Sequence, residues 1–354
     1  MKINLDKPGT YSAGDPSHMG DRITNLSYQY QLAWDKGWSF DPPPNFSKVK
    51  KVFLIGMGGS AIAADLVKGL IGFESMMSLT VVRGYTPPSL LDSRTLLIMS
   101  SYSGDTEETI AAYAEVRKLG LPTLVITGGG RLLKEAIGHG TPVIKIDYEG
   151  EPRSALGYSF GILLALLGKL GLIDNKEAQL DVAVKISQGM TSTLLPEVPK
   201  ERNLAKVIAT EMYGRLPIVY GAEFLEPVAR RWKTQLNENG KMWAFYESLP
   251  ELNHNAIAGY SFPDKVRELA YVVSLYSRHL HPRTRLRYQL TEELLIKQGV
   301  SHRQVEGLGE DPLSQVLTSV LLGDFVSYYL GILNQADPSL VLPINHLKNR
   351  MEEI

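Results

Sequence analysis

Residues 49–71, "VKKVFLIGMGGSAIAADLVKGLI", pass from a short apolar run through a glycine turn into an alanine-rich segment. The plan returns at 95–120, "TLLIMSSYSGDTEETIAAYAEVRKLG", and at 122–140, "PTLVITGGGRLLKEAIGHG". "SLTVVRGY" (78–85) and "PVIKIDYE" (142–149) read as further strands. Strands alternating with helices at this spacing imply an α/β fold, a parallel sheet with helices on both faces.

A leading amphipathic helix is expected over 21–39, a long helix over 153–173 and a polar helical stretch over 174–213. "LPIVYGA" (216–222) is again a strand leading through a glycine turn into a helix, 223–237. Strands follow at 268–277 and 302–307, then helices at 312–334 and 341–352. The length of 354 residues suggests two domains. Two doubly wound halves of similar design are expected, 1–175 and 176–354.

With 44% hydrophobic and 21% charged residues, the composition is that of an ordinary globular protein. A formal net charge of −1 argues against non-specific nucleic-acid binding, which needs a basic surface. The absence of cysteine excludes disulfides, thiolate catalysis and cysteine-ligated metal. No continuous apolar run of about 18 residues suggests a membrane span. The first residues, "MKINLDKPGTYSAGDPSHMGDRI", lack the apolar core of a secretory signal. A soluble, cytoplasmic protein with no membrane partner is expected.

The turn "GMGGSA" (56–61) resembles dinucleotide turns only in part. Ala61 stands where G-x-G-x-x-G needs its last glycine, and the second strand ends in Val82-Arg83-Gly84 rather than an acid. The stretch "SSYSGDTEETI" (100–110) holds hydroxyls and carboxylates but no Lys or Arg. Both turns should lie at the carboxyl edge of the sheet, where open α/β sheets bind ligands. Helix N-termini there offer unpaired N–H groups and partial positive charge. Gly58, Gly59, Ser60, Ser101, Ser103 and Thr106 could together solvate a phosphate without a formal cation. Taken singly, each hydroxyl is an ordinary N-cap candidate.

"GMGGSA" with "SSYSGDTEET" resembles the sugar isomerase (SIS) domain, a phosphosugar-binding fold; many members carry Asn where Asp105 stands. "EPRSALGYSFG" (151–161), "LNENGK" (236–241), "PELNHNAIAGY" (250–260) and the closing "INHLKNRM" resemble the bifunctional phosphoglucose/phosphomannose isomerase family. That resemblance implies two SIS-type subdomains and metal-independent isomerisation of glucose 6-phosphate, and of mannose 6-phosphate, to fructose 6-phosphate. It implies no cofactor. It assigns Glu238 as the base that moves a proton between C1 and C2, and Arg153 as the cation beside the enediolate oxygens. It assigns His254 and Lys348 to ring opening, with His254 reaching a neighbouring subunit's site in a homodimer. Dual specificity needs room near "ADPSLVLPINHLK", which holds Ser339, Leu340 and Pro343.

Outside the resemblance, Glu238 reads as a surface helix residue, Arg153 as a helix-start residue and Lys348 as a solvated helix end. "HLHP" (279–282) places His279 and His281 two apart, which reads as a surface loop rather than a metal site. Two other functions fit a phosphosugar fold. One is a sensor that binds without catalysis, though no basic helix-turn-helix accompanies it here. The other is an aminosugar-phosphate isomerase or deaminase.

Overall fold

The computed structural model describes residues 3–7, 9–72, 77–89 and 91–353. Two six-residue helices, α1 (Gly9–Gly14) and α2 (Met19–Thr24), precede α3 (Leu26–Ser39). Then come β1 (Lys51–Gly56), α4 (Gly58–Ile71), β2 (Ser78–Val82), β3 (Thr95–Ser101), α5 (Glu107–Val116), β4 (Thr123–Thr127), α6 (Gly130–Gly138), β5 (Val143–Lys145) and α7 (Leu156–Lys169). Helices α8 (Glu177–Leu194) and α9 (Leu204–Met212) lead to β6 (Leu216–Ala222), α10 (Glu226–Glu238), β7 (Phe245–Leu249), α11 (Asp264–Leu269), β8 (Ala270–Tyr276), α12 (Pro282–Gln298) and β9 (Ser301–Glu306). The chain closes with α13 (Pro312–Leu333) and α14 (Leu342–Glu352).

The helix expected over 21–39 is divided at Asn25, whose carbonyl accepts the N–H groups of Tyr28 and Gln29 and so starts a new helix. The stretch 174–213 is two helices, because Pro196 and Pro199 lack the N–H a continuous helix requires. The last strand of the first sheet shrinks from eight expected residues to Val143–Lys145. Strand β7 and helix α12 have no counterpart in the sequence reading. "FYESL" is a half-exposed edge strand with a charge at its centre, and α12 scatters six charged residues among its seventeen, so neither carries a clean apolar period.

The chain divides into two compact units: residues 25–188 with 308–317, and residues 1–24, 189–307 and 318–354. In the former unit the sheet order is β2-β1-β3-β4-β5, and every pairing is parallel. All seven residues of β3 are buried, as expected for a central strand covered on both faces. The chain moves from β1 outward to β2, then returns to β3 on the other side of β1. A topological switch point therefore lies between β1 and β3. Register pairs Gly56 with Ser100, which brings the two strand ends level.

In the latter unit the parallel order is β7-β6-β8-β9. Helix α10 lies against the later part of α13. The Trp232 indole donates to the Ser319 carbonyl at 2.8 Å, and Gly323 leaves room for the ring, since a Cβ there would lie 2.3 Å from Nε1. Arg231 donates to both carboxylate oxygens of Asp324, at 3.2 and 2.8 Å, with both side chains buried. Lys206, fully buried, donates to the carbonyls of Leu5 (2.8 Å) and Pro196 (2.7 Å) and to Asp6 Oδ1 (3.0 Å). That fastens the N-terminal segment to this unit. Among the described residues, α13 is the one helix long and apolar enough to cross a membrane, and its apolar stretch is wholly buried.

Replacing Arg231 with Met removes the guanidinium from a buried carboxylate. An Arg231→Met variant is expected to lose about 3–5 kcal/mol, read as a lower urea midpoint at unchanged m-value.

Candidate active site

The turns after β1 and β3 meet at the switch point. The Tyr102 N–H donates to Ser60 Oγ at 3.3 Å, which ties one turn to the other. Ser101 and Thr106 share a hydrogen bond of 2.8 Å between their hydroxyls. Ser101 Oγ also accepts the Gly104 N–H (3.1 Å), and Ser103 Oγ accepts the Asp105 N–H (3.3 Å). These hydroxyls do not act as N-caps. Met57 and Thr106 occupy the capping positions of α4 and α5, and neither provides a side-chain cap. No side-chain cap competes with an anion for the first-turn amides of these helices, of which the Ser60 N–H donates to the Met57 carbonyl at 3.2 Å. Ser60 and Ser101 are buried, Thr106 is half-buried, and Ser103 is exposed.

Glycine is required where the backbone is crowded. Gly104 has φ +74°, and a Cβ there would lie 1.8 Å from the Gly129 carbonyl oxygen. A Cβ on Gly59 would lie 2.8 Å from the Pro152 carbonyl oxygen, so the first turn packs directly on the segment that carries Arg153. Arg153 is 4% exposed, in the turn Pro152–Ala155 that leads into α7. The structure thus brings Arg153 beside the hydroxyl-lined turns. Asp105 is directed elsewhere: its Oδ1 accepts the Arg131 N–H at 2.8 Å, in the first turn of α6. The carboxylate serves the N-terminus of the next helix.

Glu238, His254 and Lys348 belong to the other unit. Glu238 is the last residue of α10 and half-buried. Its turn is held firmly: Asn237 donates to the Met242 carbonyl (2.8 Å), Asn239 to Ser327 Oγ (3.1 Å), and Asn334 to the Gly240 carbonyl (2.7 Å). Lys241 Nζ donates to the Glu238 carbonyl and, at 3.2 Å, to that of Pro338. The segment leading to α14, and so to Lys348, therefore departs from beside Glu238. Lys348 itself is exposed on α14.

His254 is not brought to Glu238. Helix α10 starts at the carboxyl edge of its sheet and, at 1.5 Å per residue, ends about 20 Å away toward the amino edge. His254 ends the short turn Glu251–His254 that directly follows β7 on the carboxyl side, and its side chain is exposed. His279 and His281 lie in the loop before α12, where His281 Nδ1 accepts the Arg283 N–H at 3.1 Å. Among the described residues no group of three or more His, Cys, Asp or Glu side chains is placed to hold a metal ion.

Sequence reading passed over Tyr102 and Tyr148. The Tyr102 hydroxyl donates to the Tyr148 carbonyl at 2.6 Å, and burial raises its pKa above the usual phenol range. An aromatic residue between two serines of a binding turn was the available signal.

Two family models match the chain: the SIS domain over residues 45–131 and the bacterial phospho-glucose isomerase C-terminal SIS domain over 201–351. The chain is 38% identical to a bifunctional phosphoglucose/phosphomannose isomerase of Caldicellulosiruptor bescii, over 95% of this chain and 99% of that protein. It is 31% identical to a protein of the same name from Aquifex aeolicus, over 91% and 95%. A hypothetical protein from Thermus thermophilus has the same fold, with a TM-score of 0.75, 17% identity and coverage of 98% of this chain and 94% of that one.

Removing two hydroxyls from the turn tests the anion site. Calorimetry with inorganic phosphate is expected to show binding by the Ser101→Ala/Ser103→Ala variant weakened about tenfold or more.

Proposed function

Because the chain belongs to the bifunctional phosphoglucose/phosphomannose isomerase family, it is an isomerase of glucose 6-phosphate and mannose 6-phosphate, and we propose that it reaches fructose 6-phosphate through a cis-enediolate. The observation that carries this mechanism is the cation-free cradle of two uncapped helix N-termini with Arg153 packed beside it. Amides and hydroxyls of Gly58, Gly59, Ser60, Ser101, Ser103 and Thr106 take the phosphate ester. Arg153 is then left for the charge that develops nearer C1 and C2.

The hexose ring opens first. His254 and Lys348 share two proton movements: one adds a proton to the ring oxygen, and the other takes the proton from the anomeric hydroxyl. The C1–O5 bond breaks and the C1 aldehyde forms. Glu238 removes the C2 proton, leaving an enediolate whose negative charge Arg153 stabilises. Return of a proton to C1, with a proton moved from O2 to O1, gives the ketose. The two aldoses differ only at C2 and yield the same enediol. No step calls for a metal ion.

His254 is proposed to serve the site of a second copy in a cytoplasmic homodimer. Its separation from Glu238 across one sheet supports this, because a single chain keeps the two toward opposite edges. Exposed apolar groups support a protein partner for the same unit: Trp243 and Phe262 are 76% and 80% exposed, and Leu347 stands out from α14.

Two measurements test these roles. Glu238→Gln is expected to abolish turnover and solvent-deuterium entry at C1 and C2 while retaining binding of a competitive phosphate ester; a parallel loss of binding would place the base elsewhere. Coupled assays with both aldose phosphates are the control, in which the wild type is expected to turn over each. Mixing two inactive proteins, Glu238→Gln and His254→Ala, is expected to restore about a quarter of wild-type activity by subunit exchange, since one site of each mixed dimer is intact. No recovery, with exchange confirmed by native mass spectrometry, would confine His254 to its own chain.

A further inference from the structure

The segment between β5 and the Arg153 turn, residues 146–151, has no helix or strand of its own. Its shape is set by a few anchors. The Ile146 N–H donates to the Thr127 carbonyl at 2.7 Å. The Tyr102 hydroxyl, coming from the phosphate turn, donates to the Tyr148 carbonyl at 2.6 Å. The Tyr148 hydroxyl donates to Ser154 Oγ at 3.2 Å, and Ser154 Oγ donates to the Glu151 carbonyl at 2.8 Å. Gln29 Nε2 closes the far side, donating to the Ser154 carbonyl at 2.8 Å. Packing is close as well: a Cβ on Gly150 would lie 2.8 Å from both Ser154 Oγ and the Tyr148 ring.

One residue takes part in both sites. The backbone N–H of Tyr102 bonds Ser60 Oγ within the phosphate cradle, and its carbonyl accepts the Gly128 N–H at 2.9 Å. With the main chain held twice, the phenol is a rigid arm of fixed length. Its tip meets the loop five residues before Arg153. From the other side, Gly59 touches Pro152. The loop is therefore seated against both phosphate turns, and the Tyr102 hydroxyl is the directional part of that seat.

We propose that Tyr102 is a positioning residue, whose hydroxyl fastens the 148–154 segment to the phosphate cradle and so sets where Arg153 stands. It touches no reacting atom. The inference rests on the role given to Arg153 above. A buried guanidinium that must meet two developing oxygens tolerates little displacement, and small displacements of aligned groups cost rate rather than ground-state affinity.

Steady-state kinetics on the full-length enzyme test this with Tyr102→Phe, Arg153→Ala and the double variant, each with inorganic phosphate as a competitive inhibitor. Tyr102→Phe is expected to lower kcat about tenfold, the worth of one neutral hydrogen bond, with KM and the phosphate inhibition constant within twofold of wild type. In the Arg153→Ala background the same change is expected to have no further effect, because nothing remains to position. Ser154→Ala, which breaks the network one step further on, is expected to show the same kcat-only loss, and it carries the test if Tyr102→Phe fails to fold. An impaired Arg153→Ala beside an unaffected Tyr102→Phe, or losses that multiply in the double variant, would overturn the positioning role alone. Full kcat in Arg153→Ala would overturn the role of the arginine and the proposal with it.

Discussion

Parallel strands must all finish on one edge, and the pairing of β1 with β3, Gly56 against Ser100, makes that edge the candidate binding site. The level strand ends place two helix N-termini side by side. The Ser60–Tyr102 hydrogen bond then makes two turns, 42 residues apart in sequence, a single surface. Gly56 follows from this closeness, since a Cβ there would lie 2.5 Å from the Ser100 carbonyl oxygen, and two further glycines meet neighbouring turns. Gly59 must pass the Pro152 carbonyl and Gly104 the Gly129 carbonyl, and neither approach leaves space for a side chain.

The hydroxyl-lined turns of this unit, 56–61 and 101–106, carry no Lys or Arg. In the proposed function, phosphate recognition falls to amides, hydroxyls and helix dipoles, which attract an anion without a formal cation. Asp105, which looks out of place in an anion-binding turn, serves as acceptor for the first turn of α6. The nearby buried cation is Arg153. It stands in the short helical turn Pro152–Ala155, and the irregular segment before that turn is held by side-chain anchors, two of which are the Tyr102 and Tyr148 hydroxyls.

The other unit meets a different demand, that of holding one carboxylate at the end of a helix. Helix ends fray unless their last carbonyls are occupied. Here the turn after Glu238 is bonded by Asn239, Lys241 and Asn334, and the helix behind it is locked by Trp232 and the buried Arg231–Asp324 pair. Replacing one member of such a pair is costly because the other stays buried and charged. The geometry of the proposed site therefore draws on residues distant from Glu238 in sequence.

The alternation of apolar runs, glycine turns and helices was enough to read a parallel α/β fold, because both period and turn chemistry are local. The hydroxyl-rich turns were legible for the same reason, and the short motifs around Arg153, Glu238, His254 and Lys348 carried the family. Strand β7 and helix α12 were not legible, since an edge strand and a charged helix show no clean apolar period. Nor could sequence tell that Thr106 and Ser60 bond other groups instead of capping their helices, that Asp105 turns to α6, or that His254 and Glu238 stand toward opposite edges of one sheet. Residues 1–24 joining the unit of β6 to β9 was equally hidden, as it rests on the buried Lys206 meeting Leu5 and Asp6. Sequence determined which local structures form and which chemical groups they carry; tertiary structure alone decided which of those groups meet, because hydrogen bonds and close packing between distant segments depend on three-dimensional register rather than on neighbours along the chain.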